Sequence, residues 1–310
     1  MYSFVFEAIG TRWQIDIKTP LLGIKKESIE KQIKKRIEEF DKNYSRFRAD
    51  SLVRKMAVKK GTYKLPADAE PLLTLYQELY KLTDGSFTPL IGQVLVDAGY
   101  DEEYSLKPGK LSIPSAWEEV MSLQLPPPCR SHGLHFVSAC HLPGVSVLII
   151  KKPCLLDFGA GGKGYLVDIV GEILEENGVK TYTVEAGGDI RNRGGTVTLR
   201  VGLENPENTA QVIGIAYLGD KSICGSAGNR RRWANYHHII DPFTLTSVQT
   251  ILATWVISDT TMVADAISTC LFFVAPDILL KRYYFEYVIL YSDFSIKKSE
   301  GFAGELFLKN

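Results

Sequence analysis

Asp265 and Thr269 stand four residues apart in the segment Thr260–Cys270, so on a helix both side-chain oxygens leave one face. Their neighbours Ala264, Ala266, Ile267 and Leu271 are small or apolar, which predicts a largely buried helix. A buried carboxylate is costly without a partner, and hard oxygen donors at this spacing suit Mg2+. The same residues also fit a plainer arrangement, with Asp265 capping a loop and Thr269 bonding back to its own helix.

A second group is Asp157-Phe-Gly-Ala-Gly-Gly-Lys-Gly-Tyr165, with four glycines within six residues after the apolar pair Leu155-Leu156. Leu166, Ile169, Val170, Ile173 and Leu174 follow at helical spacing, and Gly178 sits at the expected C-cap. The pattern predicts a strand feeding a helix through a glycine loop. Such a loop bares backbone N–H groups to an anion, and Lys163 adds a movable positive charge. A phosphate-bearing ligand follows from this, as does a tight connection with no ligand. Gly159, Gly161 and Gly164 also spell G-x-G-x-x-G, and Glu185 lies near the acid of that dinucleotide fingerprint. Asp157, however, interrupts the apolar strand that a nucleotide fold normally carries up to its first glycine.

Tyr236-His237-His238-Ile239-Ile240-Asp241-Pro242 holds an adjacent histidine pair. In a strand the two rings leave opposite faces, so one of them could serve as a general base beside a phosphate. A histidine held structurally by Asp241 is the alternative. Glu185-Ala-Gly-Gly-Asp189-Ile190 reads as a second glycine turn, and Arg230-Arg231-Arg232 as either a pyrophosphate contact or a solvated surface.

The elements that must position these groups are mixed. A hairpin spans Phe4 to Ile17 about Ile9-Gly10-Thr11, and Ile29, Ile33, Ile37, Phe40 and Tyr44 mark an amphipathic helix. Another helix runs from Asp68, buries Leu72, Leu75, Leu79 and Leu82, and stops at Asp84-Gly85. Lys107–Pro143, with Pro126-Pro-Pro128, reads as a loop with a short helix near Trp117–Met121. Strands are expected at 145–150, 155–156, 182–185, 197–203, 213–218, 237–240, 251–257, 288–292 and 294–297, and a helix at 262–273. No regular βαβ rhythm appears, so the fold class is α+β. We expect one domain over 1–310, with an N-terminal lobe of about 1–125 and a C-terminal lobe of about 145–310.

The 36 basic and 36 acidic residues cancel, so nothing points to nucleic acid or an anionic membrane. The five cysteines are scattered, with no C-x-x-C, which fits a reducing compartment better than a disulfide framework. With no signal-peptide pattern and no apolar run long enough to span a bilayer, the expectation is a cytoplasmic protein without a transmembrane segment.

Together these stretches resemble the ApbE family of FAD:protein FMN transferases. The resemblance rests on Ala8–Thr11, Ser45–Ser51, Thr83–Phe87, Asp157–Asp168, Ala186–Asp189, His238–Pro242 and Ala264–Thr269, in family order over nearly the whole chain. It implies a tunnelling-fold (T-fold)-related α+β core with the flavin nucleotide in a cleft between two lobes. It also implies Mg2+-dependent transfer of FMN from the substrate FAD to a threonine or serine hydroxyl of a target flavoprotein, releasing AMP. The family pattern makes Asp265, Thr269 and the Ala160 carbonyl the metal ligands. It places Asp157 and Lys163 on FAD, Ile9, Tyr63, Phe87 and Ile239 on its rings, and His238 beside the reacting phosphate. His238 and Asp265 are therefore the expected catalytic residues. The chain departs from the family at Ile9, usually methionine, at Gly161, commonly isoleucine, and at Leu245, usually glycine. Hydrolysis of FAD to FMN and AMP, or FAD binding without turnover, would use the same residues, and a homodimer stays open.

Overall fold

The structure is a computed structural model that describes residues 1–20, 23–125, 146–195 and 198–307. Pro126–Pro128, Cys129, Cys140 and the expected strand starts at Val145 and Val197 lie outside the described residues. Along the chain run β1 (Tyr2–Ala8), β2 (Thr11–Ile17), α1 (Gly23–Tyr44), α2 (Leu52–Val58), β3 (Gly61–Lys64) and α3 (Ala69–Leu82). Then come α4 (Gly92–Asp97), α5 (Trp117–Val120), β4 (Met121–Gln124), β5 (Val147–Ile150), α6 (Gly162–Glu176), β6 (Tyr182–Ala186) and β7 (Asp189–Arg193). The rest are β8 (Leu199–Asn205), β9 (Asn208–Leu218), β10 (Ser222–Ala227), β11 (Arg232–Trp233), β12 (Tyr236–His237), β13 (Ile251–Ser258), α7 (Thr261–Cys270), α8 (Pro276–Leu280), β14 (Glu286–Tyr291), β15 (Ile296–Lys298) and β16 (Gly304–Leu306).

An eight-stranded sheet, in the order β1-β2-β6-β7-β10-β13-β14-β15, carries the fold. Every pairing in it is antiparallel, so the α+β expectation holds and no closed barrel forms. The sheet crosses the expected lobe division: β2 pairs with β6 from Trp13↔Ala186 to Ile17↔Tyr182. The edge strand β1 alternates half-buried and exposed residues, whereas the central strand β13 is buried on both faces. On β13, Ala253, Trp255 and Ile257 pack with β10, β14 and the smaller sheet β16-β9-β8. The intervening Thr254 and Val256 face the helices, where Thr254 Oγ1 donates to the Ser268 carbonyl at 2.7 Å. A third small sheet, β3-β5-β4, lies outside the main one.

The amphipathic stripe of α1 is buried as its spacing predicts, with Ile29 and Ile33 fully enclosed. Helix α6 ends in a Schellman motif: Gly178 has φ +77°, its N–H donates to Glu175 O at 2.8 Å, and the Val179 N–H donates to Leu174 O at 2.9 Å. The expected strand at Leu155–Leu156 is absent. The segment makes no strand pairing and is tied by single bonds such as Asp157 N–H to Pro89 O at 2.8 Å.

Candidate functional site

Helices α6 and α7 cross at close range, and glycine permits it. A β-carbon at Gly164 would overlap the Thr261 carbonyl and stand 2.7 Å from Asp265 Cβ. With hydrogen there instead, the Gly164 N–H donates to Asp265 Oδ2 at 2.9 Å. The crossing is fixed from its other end by Asp168 of α6. Its carboxylate accepts the Thr261 N–H at 3.0 Å and the Met262 N–H at 2.8 Å, supplying the first turn of α7 with acceptors. Arg191 neutralises Asp168 through a 2.7 Å ion pair, both side chains being buried.

Asp265 is buried, and Asp189 at the start of β7 is fully enclosed. Asp189 forms an ion pair with Lys163, the second residue of α6. The Asp189 carboxyl is raised to about 7: burial and then the charge of Asp265 push it up, and Lys163 opposes both. Burial also raises Asp265, with Lys163 and the Gly164 N–H opposing. Burial alone would lower Lys163, but Asp189 and Asp265 outweigh it and hold the ammonium above its usual range. Two carboxylates thus share one lysine. Thr269, one turn beyond Asp265, has its hydroxyl 3.3 Å from Ser226 Oγ, which in turn lies 2.7 Å from Ser268 Oγ.

Asp157 opens the glycine loop. Its Oδ1 accepts the Gly159 N–H at 2.7 Å, and its Oδ2 receives Arg46 Nε at 2.5 Å. Arg46 is 3% exposed, donates from Nη1 to the Tyr100 carbonyl at 2.7 Å, and lies 4.1 Å over the Phe47 ring. Ala160 follows in the turn before α6, and a β-carbon on Gly161 would meet Ala266 Cβ at 3.3 Å, so the loop faces α7.

The expected strand at 237–240 shrinks to β12, with Ile240 in a lone bridge to Ser247, and His238 lies outside any strand. The histidines therefore differ by bonding rather than by sheet face. His237 is buried, its Nε2 pairs with Val248 O at 2.8 Å, and its Nδ1 accepts the Ile239 N–H at 3.3 Å. Those bonds require the Nε2–H tautomer and use the whole ring. His238 Nδ1 is buried with no partner among the described residues. Burial, then the Arg231 and His237 charges, push His238 down to about 3, with Asp157 acting in the opposite direction.

The expected ring contacts are dispersed. Ile9 occupies the two-residue turn between β1 and β2 at φ +46°, a strained value for a β-branched residue. Phe87 is 2% exposed, with its ring 4.8 Å from that of Tyr76, and Ile239 is 3% exposed. Both serve as core in this structure. The Tyr63 hydroxyl donates to the Lys59 carbonyl at 2.5 Å, closing the end of α2, and no hydrogen bond links it to the other candidate residues. Leu245 keeps the left-handed conformation, φ +56°, that glycine would adopt without strain.

The ApbE family profile matches residues 9–283. The chain belongs to the ApbE family. An FAD:protein FMN transferase of Haemophilus influenzae is 28% identical over 232 residues, covering 69% of this chain and 62% of that protein. One from Escherichia coli is 22% identical over 286 residues, covering 87% and 78%. Among solved structures, the ApbE protein of Thermotoga maritima superposes with a TM-score of 0.77 at 22% identity, covering 96% of this chain and 97% of that one. The flavin transferase ApbE of Vibrio cholerae gives 0.76 at 20% identity, covering 96% of each.

The donor set fits a divalent cation. Asp265 and Asp189 are two buried carboxyls beside the single ammonium of Lys163, burial raises both, and Asp189 Oδ1 has no hydrogen-bond partner among the described residues. Carboxyls whose ionisation burial disfavours, beside hydroxyl oxygens, form a site where a hard cation would favour the charged forms. Sequence reasoning gave no role to Arg46, Ser226 or Asp189. Arg46 and Asp189 lie inside the Ser45–Ser51 and Ala186–Asp189 stretches, but only the fold shows which charges they meet.

Proposed function

We propose that this chain transfers FMN from FAD to a threonine or serine hydroxyl of a target flavoprotein and releases AMP. The observation that carries the reading is the Asp265–Lys163–Asp189 cluster at the N-terminus of α6. It combines surplus buried carboxylate with a helix end, which attracts phosphate through its N–H groups and dipole. Asp265, Thr269 and the Ala160 carbonyl would hold Mg2+, which when bound supplies neutralisation of the pyrophosphate and of charge building on the departing AMP oxygen.

The chain's own groups do the rest. Lys163 and the start of α6 hold the phosphate bridge, and Asp157, fixed by Arg46, shapes the glycine loop around it. His238 is neutral at physiological pH, so its ring can accept a proton. The acceptor oxygen bonds to the FMN phosphorus as the bond to the AMP oxygen breaks, and the hydroxyl proton passes to His238. An arriving pyrophosphate anion strengthens that base by offsetting the Arg231 charge.

The test incubates the protein with FAD, Mg2+ and a threonine-bearing acceptor peptide, reading peptide mass and AMP. The expected result is a peptide heavier by one FMN with equimolar AMP, lost in a folded Asp265→Ala variant. AMP and free FMN without peptide labelling would identify a pyrophosphatase, and FAD bound but intact would identify a binding protein.

A further inference from the structure

Lys163 sits in the first turn of α6, where a long side chain on its own would sweep through many rotamers. Asp189 prevents this. The two-residue turn between β6 and β7 has Gly187 at φ +55° and Gly188 at φ +98°, and Ala186 pairs directly with Asp189. Both residues need positive φ, which two glycines supply without strain. Gly187 also lies against Thr11 so closely that a β-carbon would overlap its hydroxyl. The turn is therefore locked on the β1–β2 hairpin, and Asp189 is delivered at a fixed place, fully enclosed. Its carboxylate meets the Lys163 ammonium, and the lysine side chain keeps 24% exposure. An ammonium has three donors, so one bonded to Asp189 leaves others for a ligand.

We propose that Asp189 is a positioning residue: it aims Lys163 at the phosphate bridge of the bound dinucleotide, and the Ala186–Asp189 turn exists to place it. This rests on the functional reading above. Asp189 touches no substrate and acts only through the lysine.

The experiment measures FAD and riboflavin dissociation constants by flavin fluorescence in EDTA, with no metal and no turnover. It uses the wild type, Asp189→Asn, Lys163→Met and the double variant, with thermal midpoints recorded for each. Removing one charge-assisted hydrogen bond corresponds to roughly ten- to a hundredfold in affinity. Asp189→Asn should weaken FAD by about that factor, leave riboflavin within about twofold, and add nothing to Lys163→Met in the double variant. Losses that multiply, or equal losses for FAD and riboflavin, would overturn the proposal and assign Asp189 to packing. Should Asp189→Asn fail to fold, Asp189→Glu keeps the charge and moves it by one methylene. A selective loss for FAD then supports positioning, and wild-type FAD affinity overturns it. A wild type that labels peptide while Asp189→Asn binds FAD normally fails this proposal alone. A wild type that binds no FAD even when Mg2+ is restored fails the functional reading with it.

Discussion

His237 and His238 are adjacent in sequence, yet one ring is consumed by structure and the other is left open. His237→Ala removes two hydrogen bonds from a buried ring, so it should cost about 1–3 kcal/mol of stability while leaving the proposed FMN transfer in place in folded protein. His238→Ala should keep FAD binding and lose transfer by about 10²–10⁴, the range for a general base. Transfer unaffected in His238→Ala would move the base to another group. The acid limb of stability supplies a second check. The folded-state His238 value lies below its unfolded one, so the unfolded chain takes up a proton that the folded chain refuses. Stability should therefore fall as pH drops from about 6.5 towards 3. Asp189 works in the opposite sense, because its raised value favours the folded state at low pH. The difference between wild type and His238→Gln in thermal midpoint against pH isolates the histidine, and a flat difference from pH 7 to 4 would contradict its burial as a neutral ring. Spacing singled out Asp265 and Thr269 as candidates, four apart in an apolar helix, and the glycine loop singled out Lys163. Neither signal could expose Arg46, whose partner Asp157 is more than a hundred residues away.

Helices α6 and α7 were legible because each carries its own punctuation. Gly178 ends the first, and Thr260 caps the second by accepting the Val263 N–H at 3.3 Å. Asp168 was not legible as the second cap of α7, since no local pattern ties it to Thr261. Asp168→Ala removes acceptors from two N–H groups and strands buried Arg191. We expect a loss of about 3–5 kcal/mol, typical of breaking a buried pair from one side, measured by denaturant unfolding. A loss under about 1 kcal/mol would show that water or Glu175 takes over. The strand expected at Leu155–Leu156 failed for the opposite reason: an apolar pair signals burial, not pairing. Beyond the two-residue pairing of β11 with β12, the histidine segment satisfies its backbone through Ser247, Val248 and Arg231.

The N-terminal hairpin belongs to the same sheet as strands from the far end of the chain, which local patterns cannot reveal. Trp13, Ile15 and Ile17 are 0% exposed. At about 1.5–3 kcal/mol each, their burial rivals the 5–15 kcal/mol that a whole domain retains. A chain lacking residues 1–20 should therefore show no cooperative unfolding transition, read by circular dichroism against denaturant. A truncated chain with an unchanged midpoint would make the hairpin an accessory. Fragments 1–125 and 146–310 should each be unfolded alone for the same reason.

The pairing of β2 with β6 also sets a timetable for the ribosome. Trp13 cannot meet Ala186 until the intervening chain has emerged. Roughly 170 residues at about 5–20 residues per second is on the order of 10–35 s. Throughout that interval the inner side of the hairpin and the apolar stripe of α1 have no lasting cover. A nascent chain of this kind presents a holdase with a sticky segment, and translation speed between β2 and β6 becomes a determinant of yield.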